Sequence, residues 1–300
     1  MLTTGKGWGF MPNAGASVKT DSNSEKNTTV DFPKYLVIFI DLLGTRNRAK
    51  QLSFSEQLNI HQRLHGEFVM NQENDAAHPE AVYFRRICTF SDCAYIIYGF
   101  KPDVPEEKKD LGRLFTVALC NCEPIFINLL YEHILFRGGV FYGDAYVEHN
   151  KNMVFGEAIN KAYDMESKIA IHPRIVVDDF VAKAFIDNVT NVSYQIATHD
   201  PNTVNLIGAC LIPKYPETGD GLIEKDIDGK YIFNYFHFLQ LGQTLVDDTE
   251  KIISKEEYLN RLIVFCDEQI RDIDNMNVID KYQYLKRFCS KNLATVKSFP

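Results

Sequence analysis

One short segment, residues 34–45, constrains the fold of this chain more than any other part of its sequence. Seven of the eight residues in 35–42 are apolar or aromatic, and Asp41 is the exception. A continuous run rich in Val, Ile, Phe and Tyr, closed by Gly44, predicts a strand buried on both faces of a sheet. A carboxylate near the end of such a strand is unfavourable unless something neutralises its charge.

Asp41 has two interpretations, a cap for the helix that follows or a metal ligand on a rigid strand. A second segment, residues 82–100, consists of two strand-like runs broken at Ser91-Asp92, which predicts a tight hairpin with an acid at its tip. Two carboxylates at the ends of neighbouring strands repel each other, so the pair needs protons or a divalent cation. Because Mg²⁺ prefers carboxylates together with substrate phosphates, the two acids predict a site for a metal and a triphosphate.

The composition indicates an ordinary globular protein. The 300 residues suit one large domain, with 45% hydrophobic and 24% charged residues. A net charge of −8 argues against a general DNA, RNA or anionic-membrane surface. No apolar run approaches the roughly 18 residues that span a bilayer, and the N-terminus does not resemble a signal peptide. The seven cysteines form no CxxC or Cys/His zinc pattern, so we expect reduced thiols and a cytoplasmic protein.

The order of predicted elements indicates the fold class. Residues 1–31 are rich in Gly, Ser, Asn, Thr and Lys and predict a flexible N-terminal arm. Over residues 34–185 the order is β-α-β-β-α-β followed by an α-β pair, which predicts an α+β domain with a ferredoxin-like core. A short helix is expected to end at Phe185. Residues 186–229 read as loop-rich, and a strand and C-terminal helices are expected to complete the same domain through residue 300.

Four motifs in this order resemble those of the class III nucleotide cyclase catalytic domain. They are FIDLLG at 39–44, TFSDCAY at 89–95, RGGVFYG at 137–143 and GEAINKA at 156–162. The first two resemble the family's metal-binding strands, the third its R-x-G-I-x-x-G strand, and the fourth the segment that opens its catalytic helix. The resemblance implies that residues 32–185 are a cyclase catalytic core and that the protein is a homodimer with active sites at the interface.

The chain resembles most closely the pyrimidine cyclases of bacterial Pycsar anti-phage systems. The F-S-D form of the second motif, the R-G-G strand and the sequence KYQYL at 281–285 carry this resemblance. It implies that UTP or CTP is converted to a 3′,5′-cyclic monophosphate and pyrophosphate. The product would activate a separate effector protein that disables the infected cell. UTP is preferred because uridylate cyclases are the commoner members of the group.

The resemblance also implies roles for individual residues. Asp41 and Asp92, with the carbonyl of Leu42, would hold two divalent cations, Mn²⁺ or Mg²⁺. Thr45 and Arg46 would bind the substrate phosphates. One cation would lower the pKa of the ribose 3′-hydroxyl and the other would bind the triphosphate.

Three further residues follow from comparison with the family's catalytic helix and base pocket. Asn160 would orient the ribose from the partner subunit, or else is a plain helix residue. The family's transition-state arginine falls on Asp164, so Arg137 or Arg46 would take its place, although Arg46 as a surface residue stays an alternative. The purine-reading lysine falls on Cys88, which weighs against adenine and agrees with a pyrimidine. The alternative of another class is a catalytically inactive cyclase-like module that binds a nucleotide or a protein.

Overall fold

The computed structural model describes twelve parts of the chain. They are residues 17–18, 30–31, 33–45, 52–59, 61–62, 65–66, 82–148, 153–199, 221–237, 245–246, 252–271 and 273–297. Arg46 lies outside these residues, as does most of the predicted N-terminal arm.

The described residues form twelve strands, five α-helices and one short 3-10 helix. The strands are β1 Ser17–Val18, β2 Val30–Asp31, β3 Lys34–Leu42, β4 Tyr83–Phe90, β5 Cys93–Phe100, β6 Phe136–Val147, β7 Val154–Gly156, β8 Ile175–Val177, β9 Ile223–Lys225, β10 Tyr231–Phe233, β11 Leu245–Val246 and β12 Ile252–Ile253. The helices are α1 Leu111–Tyr131, α2 Glu157–Lys168, α3 Asp179–His199, α4 Lys255–Arg271 and α5 Met276–Lys297, with the 3-10 helix at Glu106–Lys108. Residues 54–59, 61–62 and 65–66 are helical as well, in addition to these five helices.

The main sheet has the strand order β4-β5-β3-β6-β8-β10-β9, and β7 pairs with β6. Its neighbouring strands are antiparallel except for the parallel pair β6 and β8. Strand β5 lies between β3 and β4, so the first β-α-β unit is split by the second strand of the hairpin. The predicted α+β class and ferredoxin-like core are therefore confirmed.

Strand β3 is buried on both faces, as its apolar run predicts. Leu36, Ile38 and Ile40 belong to a core formed with α1, α3 and the C-terminal helices, while Val37 and Phe39 belong to a second core beneath α2. This alternation follows from the two-residue period of a strand. Asp41 continues the α2 side of the strand and is thereby directed to the same face as Phe39.

Helix α3 is longer than the sequence predicts. It continues past Phe185 to His199, through a segment whose polar residues read as a loop. Val189 is buried on this extension, and the hydroxyl of Thr116 in α1 donates a hydrogen bond of 3.3 Å to the side-chain oxygen of Asn188. The expected ending at Phe185 is therefore wrong, because packing of α3 on α1 outweighs the weak helix propensity of Asn and Thr.

Helix α1 differs from the expectation that no apolar run approaches the length needed to span a bilayer. Among the described helices it is the one that is long and apolar enough to cross a membrane, by length and composition alone. Its position in the core explains this apolar composition, since 61% of its most apolar stretch of 18 residues is buried inside the protein. The core helix of a soluble protein meets the same criterion, so this is weak evidence for a membrane span.

The buried Glu224 of β9 provides a test of the core by its pH dependence. Its carboxylate accepts hydrogen bonds from Lys291 (2.7 Å) and Asn234 (3.3 Å), yet burial outweighs them and raises the pKa of Glu224 to about 7. A carboxyl with a raised folded-state pKa contributes stability below the unfolded pKa, and this contribution is lost as the pH rises through the folded value. The stability contributed by the neutral Glu224 carboxyl is therefore lost between roughly pH 4 and about pH 7.

We expect the Glu224→Gln variant to escape this loss. Between about pH 5.5 and pH 8 its free energy of unfolding should rise relative to wild type by about 2 kcal/mol. Urea denaturation at the two pH values measures the change, and Glu107→Gln, which alters an exposed glutamate, is the control. Equal shifts in the two variants would show that Glu224 is not the responsible group.

Candidate active site

Asp41 lies at the end of β3, between two other side chains of the sheet. Its register partners are Cys93 on β5 and Arg137 on β6. Directly opposed residues of antiparallel strands point to the same face, so these three side chains form a row across the sheet. The next row on that face, two residues along, contains Cys88, Tyr95 and Phe39.

Asp92 lies in the turn between β4 and β5, as the hairpin pattern predicts. Its backbone carbonyl accepts a hydrogen bond of 3.0 Å from the Leu42 N–H, which ties the turn to the end of β3. The Thr45 hydroxyl donates a hydrogen bond of 2.5 Å to Asp92 Oδ2. Ligand atoms of Asp41, Asp92 and Cys93 lie within 4.8 Å of one another, and among the residues described here no other group of three acidic, Cys or His side chains does so.

The carboxylate oxygens of the two aspartates are arranged in a way that suits a divalent cation. Asp41 Oδ2 is 3.5 Å from Arg137 Nη2, and Asp92 Oδ2 is held by Thr45. The Oδ1 atoms of both carboxylates approach the Cys93 sulfur, at 3.6 Å and 4.0 Å. Each acid therefore has one oxygen oriented by a neighbour and the other near the Cys93 sulfur, with ligand atoms of the two acids within 4.8 Å of each other. Two hard oxygen donors at this spacing fit Mg²⁺ or Mn²⁺.

The two aspartates form a site whose negative charge a bound cation would neutralise. Burial raises the pKa of Asp41, the charge of Asp92 raises it further, and Arg137 opposes both. Burial would also raise the pKa of Asp92, but hydrogen bonds, chiefly from Thr45, lower it overall. Burial and the two acids together raise the pKa of the Cys93 thiol to about 12, so it stays protonated as a weak donor. The site thus holds partly desolvated negative charge.

Helix α2 contributes Glu166, an acid that the sequence did not single out. Its side chain is 2% exposed and forms a close ion pair with Arg137 Nε. Burial raises the pKa of Glu166 to about 7, against the effect of Arg137. The helix can approach β6 because Gly139 has no side chain: a Cβ there would lie 2.3 Å from the Ala162 carbonyl oxygen. The glycine of the R-G-G strand therefore permits the contact between Glu166 and Arg137.

The sequence-predicted residues fall into three groups. The structure brings Asp41, Asp92, Thr45 and Arg137 together, and Leu42 follows Asp41 at the cluster. Cys88 is 8% exposed and lies in the neighbouring row of the same sheet face, whereas Asn160 is exposed on α2. Arg46 lies outside the described residues. The roles of all these residues stay predictions.

A cavity of about 370 Å³ opens beside Asp92 on the hairpin side. It is lined by nine residues, including Asp92, Cys93, His61 and His65. A larger groove of about 820 Å³ lies between the end of α1 and α4, and it contains none of the motif residues. The smaller cavity therefore adjoins Asp92 and Cys93, whereas Asp41, Thr45, Arg137 and Cys88 are not among its lining residues.

Several solved nucleotide cyclases are similar to about half of this chain. The adenylyl cyclase CyaB from P. aeruginosa is 16% identical, with a TM-score of 0.36 over 52% of this chain and 82% of its own. The dimeric guanylyl cyclase domain of the RhoGC fusion protein from the aquatic fungus Blastocladiella emersonii is 18% identical, with a TM-score of 0.37 over 52% of this chain and 85% of its own. The catalytic core of a rhodopsin-guanylyl cyclase with converted specificity, in complex with ATPalphaS, is also 18% identical. Its TM-score is 0.37 over 51% of this chain and 81% of its own.

No protein-family model matches the sequence, and no curated protein matches it. At such low identities and TM-scores, the similarity to solved cyclases carries no weight for the function.

Proposed function

We propose that the chain is a pyrimidine nucleotide cyclase, a phosphorus–oxygen lyase that converts UTP to 3′,5′-cyclic UMP and pyrophosphate. The observation that carries the proposal is the convergence of Asp41 and Asp92 from two neighbouring parts of the sheet, within 4.8 Å of each other. Two partly desolvated acids at this spacing repel each other, which disfavours them in a purely structural role. They suit a site that binds a substrate together with its cations.

The reaction assigned to the site is an intramolecular displacement at phosphorus. The ribose 3′ oxygen bonds to the α-phosphorus, the bond from that phosphorus to the bridging oxygen breaks, and pyrophosphate leaves while the hydroxyl proton passes to solvent. We propose two divalent cations at the aspartates. They would activate the 3′-hydroxyl and neutralise the triphosphate. Asp41 and Asp92 hold them, and the Leu42 carbonyl is the proposed further ligand.

Other residues of the site orient the aspartates or neutralise charge on the substrate. Thr45 fixes the Asp92 carboxylate through its hydroxyl, and Arg137 lies beside Asp41, where it can meet negative charge that develops on the phosphates. Arg46 is the second proposed phosphate ligand. We place the base over the row of Cys88 and Tyr95 next to the acids. A thiol in place of a charged base-reading group supports a pyrimidine rather than adenine.

The proposal includes a homodimer in which each active site uses two subunits. Asn160 is exposed on α2 and is the residue proposed to hold the ribose of the partner's site. Helix α2 and the segment that leads into it also expose three apolar side chains: Met153 (44%), Phe155 (54%) and Tyr163 (49%). Exposed apolar side chains grouped in this way are typical of a protein interface, which supports contact with a second copy at this face.

The resemblance extends the proposal to the cell. Cyclic UMP would be a second messenger of anti-phage defence in the cytoplasm, and it would activate a separate effector protein. A cytidylate cyclase making cyclic CMP is the alternative substrate assignment. An inactive nucleotide-binding module is favoured by one observation: Asp164 stands where the family has its arginine, and it pairs with Lys168 at 2.9 Å.

Incubation with each of the four nucleoside triphosphates and Mn²⁺, followed by chromatography, tests the proposal. We expect cyclic UMP and pyrophosphate from UTP, and little product from the other three. Cyclic CMP as the main product would support the alternative substrate. Binding without any product would support the inactive module, and neither binding nor product with any of the four would overturn the cyclase assignment.

A further inference from the structure

The guanidinium group of Arg137 lies between two acids, Asp41 on the neighbouring strand and Glu166 on helix α2. Its Nε atom forms the close ion pair with Glu166, whereas its Nη2 atom stays 3.5 Å from Asp41 Oδ2. Asp41 is the residue directly opposite Arg137 in the β3–β6 pair. Opposite charges at such positions of antiparallel strands normally pair with each other. In this protein the helix, and not the neighbouring strand, provides the closer partner of Arg137.

The tight packing of α2 on β6 places Glu166 beside Arg137. A Cβ atom at Gly139 would lie 2.7 Å from the Cβ of Met165 and 3.1 Å from the backbone nitrogen of Glu166. Any side chain at position 139 would therefore push away the helical turn that carries Glu166. The Glu166 side chain is 2% exposed, whereas those of Arg137 and Asp41 are 24% and 23% exposed. Glu166 is thus shielded from solvent, while Arg137 and Asp41 remain accessible to it.

The row of Cys93, Asp41 and Arg137 contains one acid and one base, because the Cys93 thiol stays protonated. Without a further acid, Arg137 would neutralise Asp41 within the row. A guanidinium fork in a full ion pair occupies both oxygens of a carboxylate, and a cation would have to displace it. The ion pair with Glu166 gives Arg137 another counter-charge. Asp41 thereby keeps its Oδ1 atom on the Cys93 side, where it faces Asp92 and not the guanidinium.

We propose that Glu166 is a positioning residue that holds Arg137 away from Asp41 and thereby leaves the Asp41 carboxylate available to a divalent cation. The inference rests on the proposed function, since it concerns the cation site of that function. The effect of Glu166 passes through Arg137 and requires no contact between Glu166 and the cation or the substrate. Without the Glu166 carboxylate, Arg137 should move onto Asp41 and compete with the cation.

A rival role for Glu166 is that of a further cation ligand. Burial raises the pKa of Glu166 to about 7 against the effect of Arg137, and the nearby Asp41 adds to the rise. Among the described residues, however, Glu166 does not belong to the group of ligand atoms that lie within 4.8 Å of one another. The two roles predict opposite results when Arg137 is removed from a protein that already lacks the Glu166 carboxylate.

Titration of the full chain with Mn²⁺ alone, followed by electron paramagnetic resonance, tests the inference without turnover. It is carried out at about pH 8, above the raised pKa of Glu166, so that this carboxylate is ionised. We expect Glu166→Gln to weaken Mn²⁺ binding about tenfold, because the freed guanidinium forms charge-assisted hydrogen bonds with Asp41. Adding Arg137→Met should restore the affinity to within about threefold of wild type. Glu157→Gln, which changes an exposed glutamate in the first turn of the same helix, should bind Mn²⁺ as wild type does.

A structural defect in α2 would not be repaired by removing a second side chain, so the double variant separates positioning from folding. Unchanged Mn²⁺ binding by Glu166→Gln, or a double variant that binds no better than it, would overturn the inference. A crystal structure of Glu166→Gln should show Arg137 paired with Asp41 at about 2.8 Å. A guanidinium that stays in its wild-type position would also overturn it. If Glu166→Gln does not fold, Arg137→Met alone should bind Mn²⁺ at least as tightly as wild type, and weaker binding would contradict the inference.

The same experiments distinguish this inference from the cyclase proposal. If wild type makes a cyclic nucleotide and Glu166→Gln keeps its Mn²⁺ affinity, the inference is overturned and the cyclase proposal stands. If Arg137→Met restores Mn²⁺ binding to Glu166→Gln but wild type makes no cyclic nucleotide, the inference stands and the cyclase proposal fails. Absence of both Mn²⁺ binding and product in wild type would overturn both.

Discussion

Replacing either Asp41 or Asp92 by alanine is expected to reduce cyclic nucleotide formation by at least about a thousandfold. Each variant removes one of the two carboxylates that hold the cations, and metal-based charge stabilisation is worth several kcal/mol in the transition state. A loss of about 4 kcal/mol corresponds to about a thousandfold in rate. Initial rates with the preferred triphosphate, measured over a range of Mn²⁺ concentrations, give the comparison.

The protein itself should remain folded in these variants. Burial and Asp92 both disfavour the charged form of Asp41, so its removal relieves repulsion in the cation-free protein. Thermal denaturation should therefore show no large loss of stability. Asp144→Ala is a matched control, because Asp144 opposes Lys34 at the other end of the β3–β6 pair and its variant should retain activity. Substantial activity in Asp41→Ala would remove the basis of the proposed mechanism.

Mixing two inactive variants is expected to restore activity. If each active site takes Asp41 from one subunit and Asn160 from the other, Asp41→Ala and Asn160→Ala homodimers both have two defective sites. A mixed dimer has one intact site, so random exchange of subunits should recover about one quarter of the wild-type rate. The expected change is from near zero to a readily measured rate, after co-refolding or co-expression of the two chains.

The restored activity depends on which residues lie on different subunits. Asp41→Ala mixed with Asp92→Ala should stay inactive, because both aspartates belong to the same site of one chain. Analytical ultracentrifugation of wild type should show a dimer. Recovery in neither mixture, or equal recovery in both, would contradict an interface site that pairs Asp41 with Asn160 of the partner.

The sequence predicted the part of the site that depends on local pattern. The apolar run of residues 35–42 predicted a buried strand with Asp41 near its end. The break at residues 91–92 predicted a hairpin with Asp92 at its turn. Their proximity followed from the expected pairing of the strands, and the structure brings them together. Arg137 was also a candidate, through the resemblance of its strand to the cyclase family's R-x-G strand and not through a local pattern.

Glu166 was not predicted, although it lies at the site. Glu166 follows Ala158 and Ala162 at helical spacing, so it lies on the buried stripe of α2, where a glutamate conflicts with the apolar pattern. Only the tertiary contact with Arg137 accounts for it. An acid on a buried helix stripe is the one local signal that identifies such a residue in advance.

The binding of Mn²⁺ is the measurement that tests the central claim most directly, and electron paramagnetic resonance can follow it. The titration uses wild type, Asp41→Ala, Asp92→Ala and the control Asp144→Ala, each with 3′-deoxy-UTP, which lacks the attacking hydroxyl. Wild type and the control should bind Mn²⁺ tightly, and both site variants should lose at least one bound ion. Equal Mn²⁺ binding by all four proteins would contradict the claim that these two aspartates hold the cations of a nucleoside triphosphate.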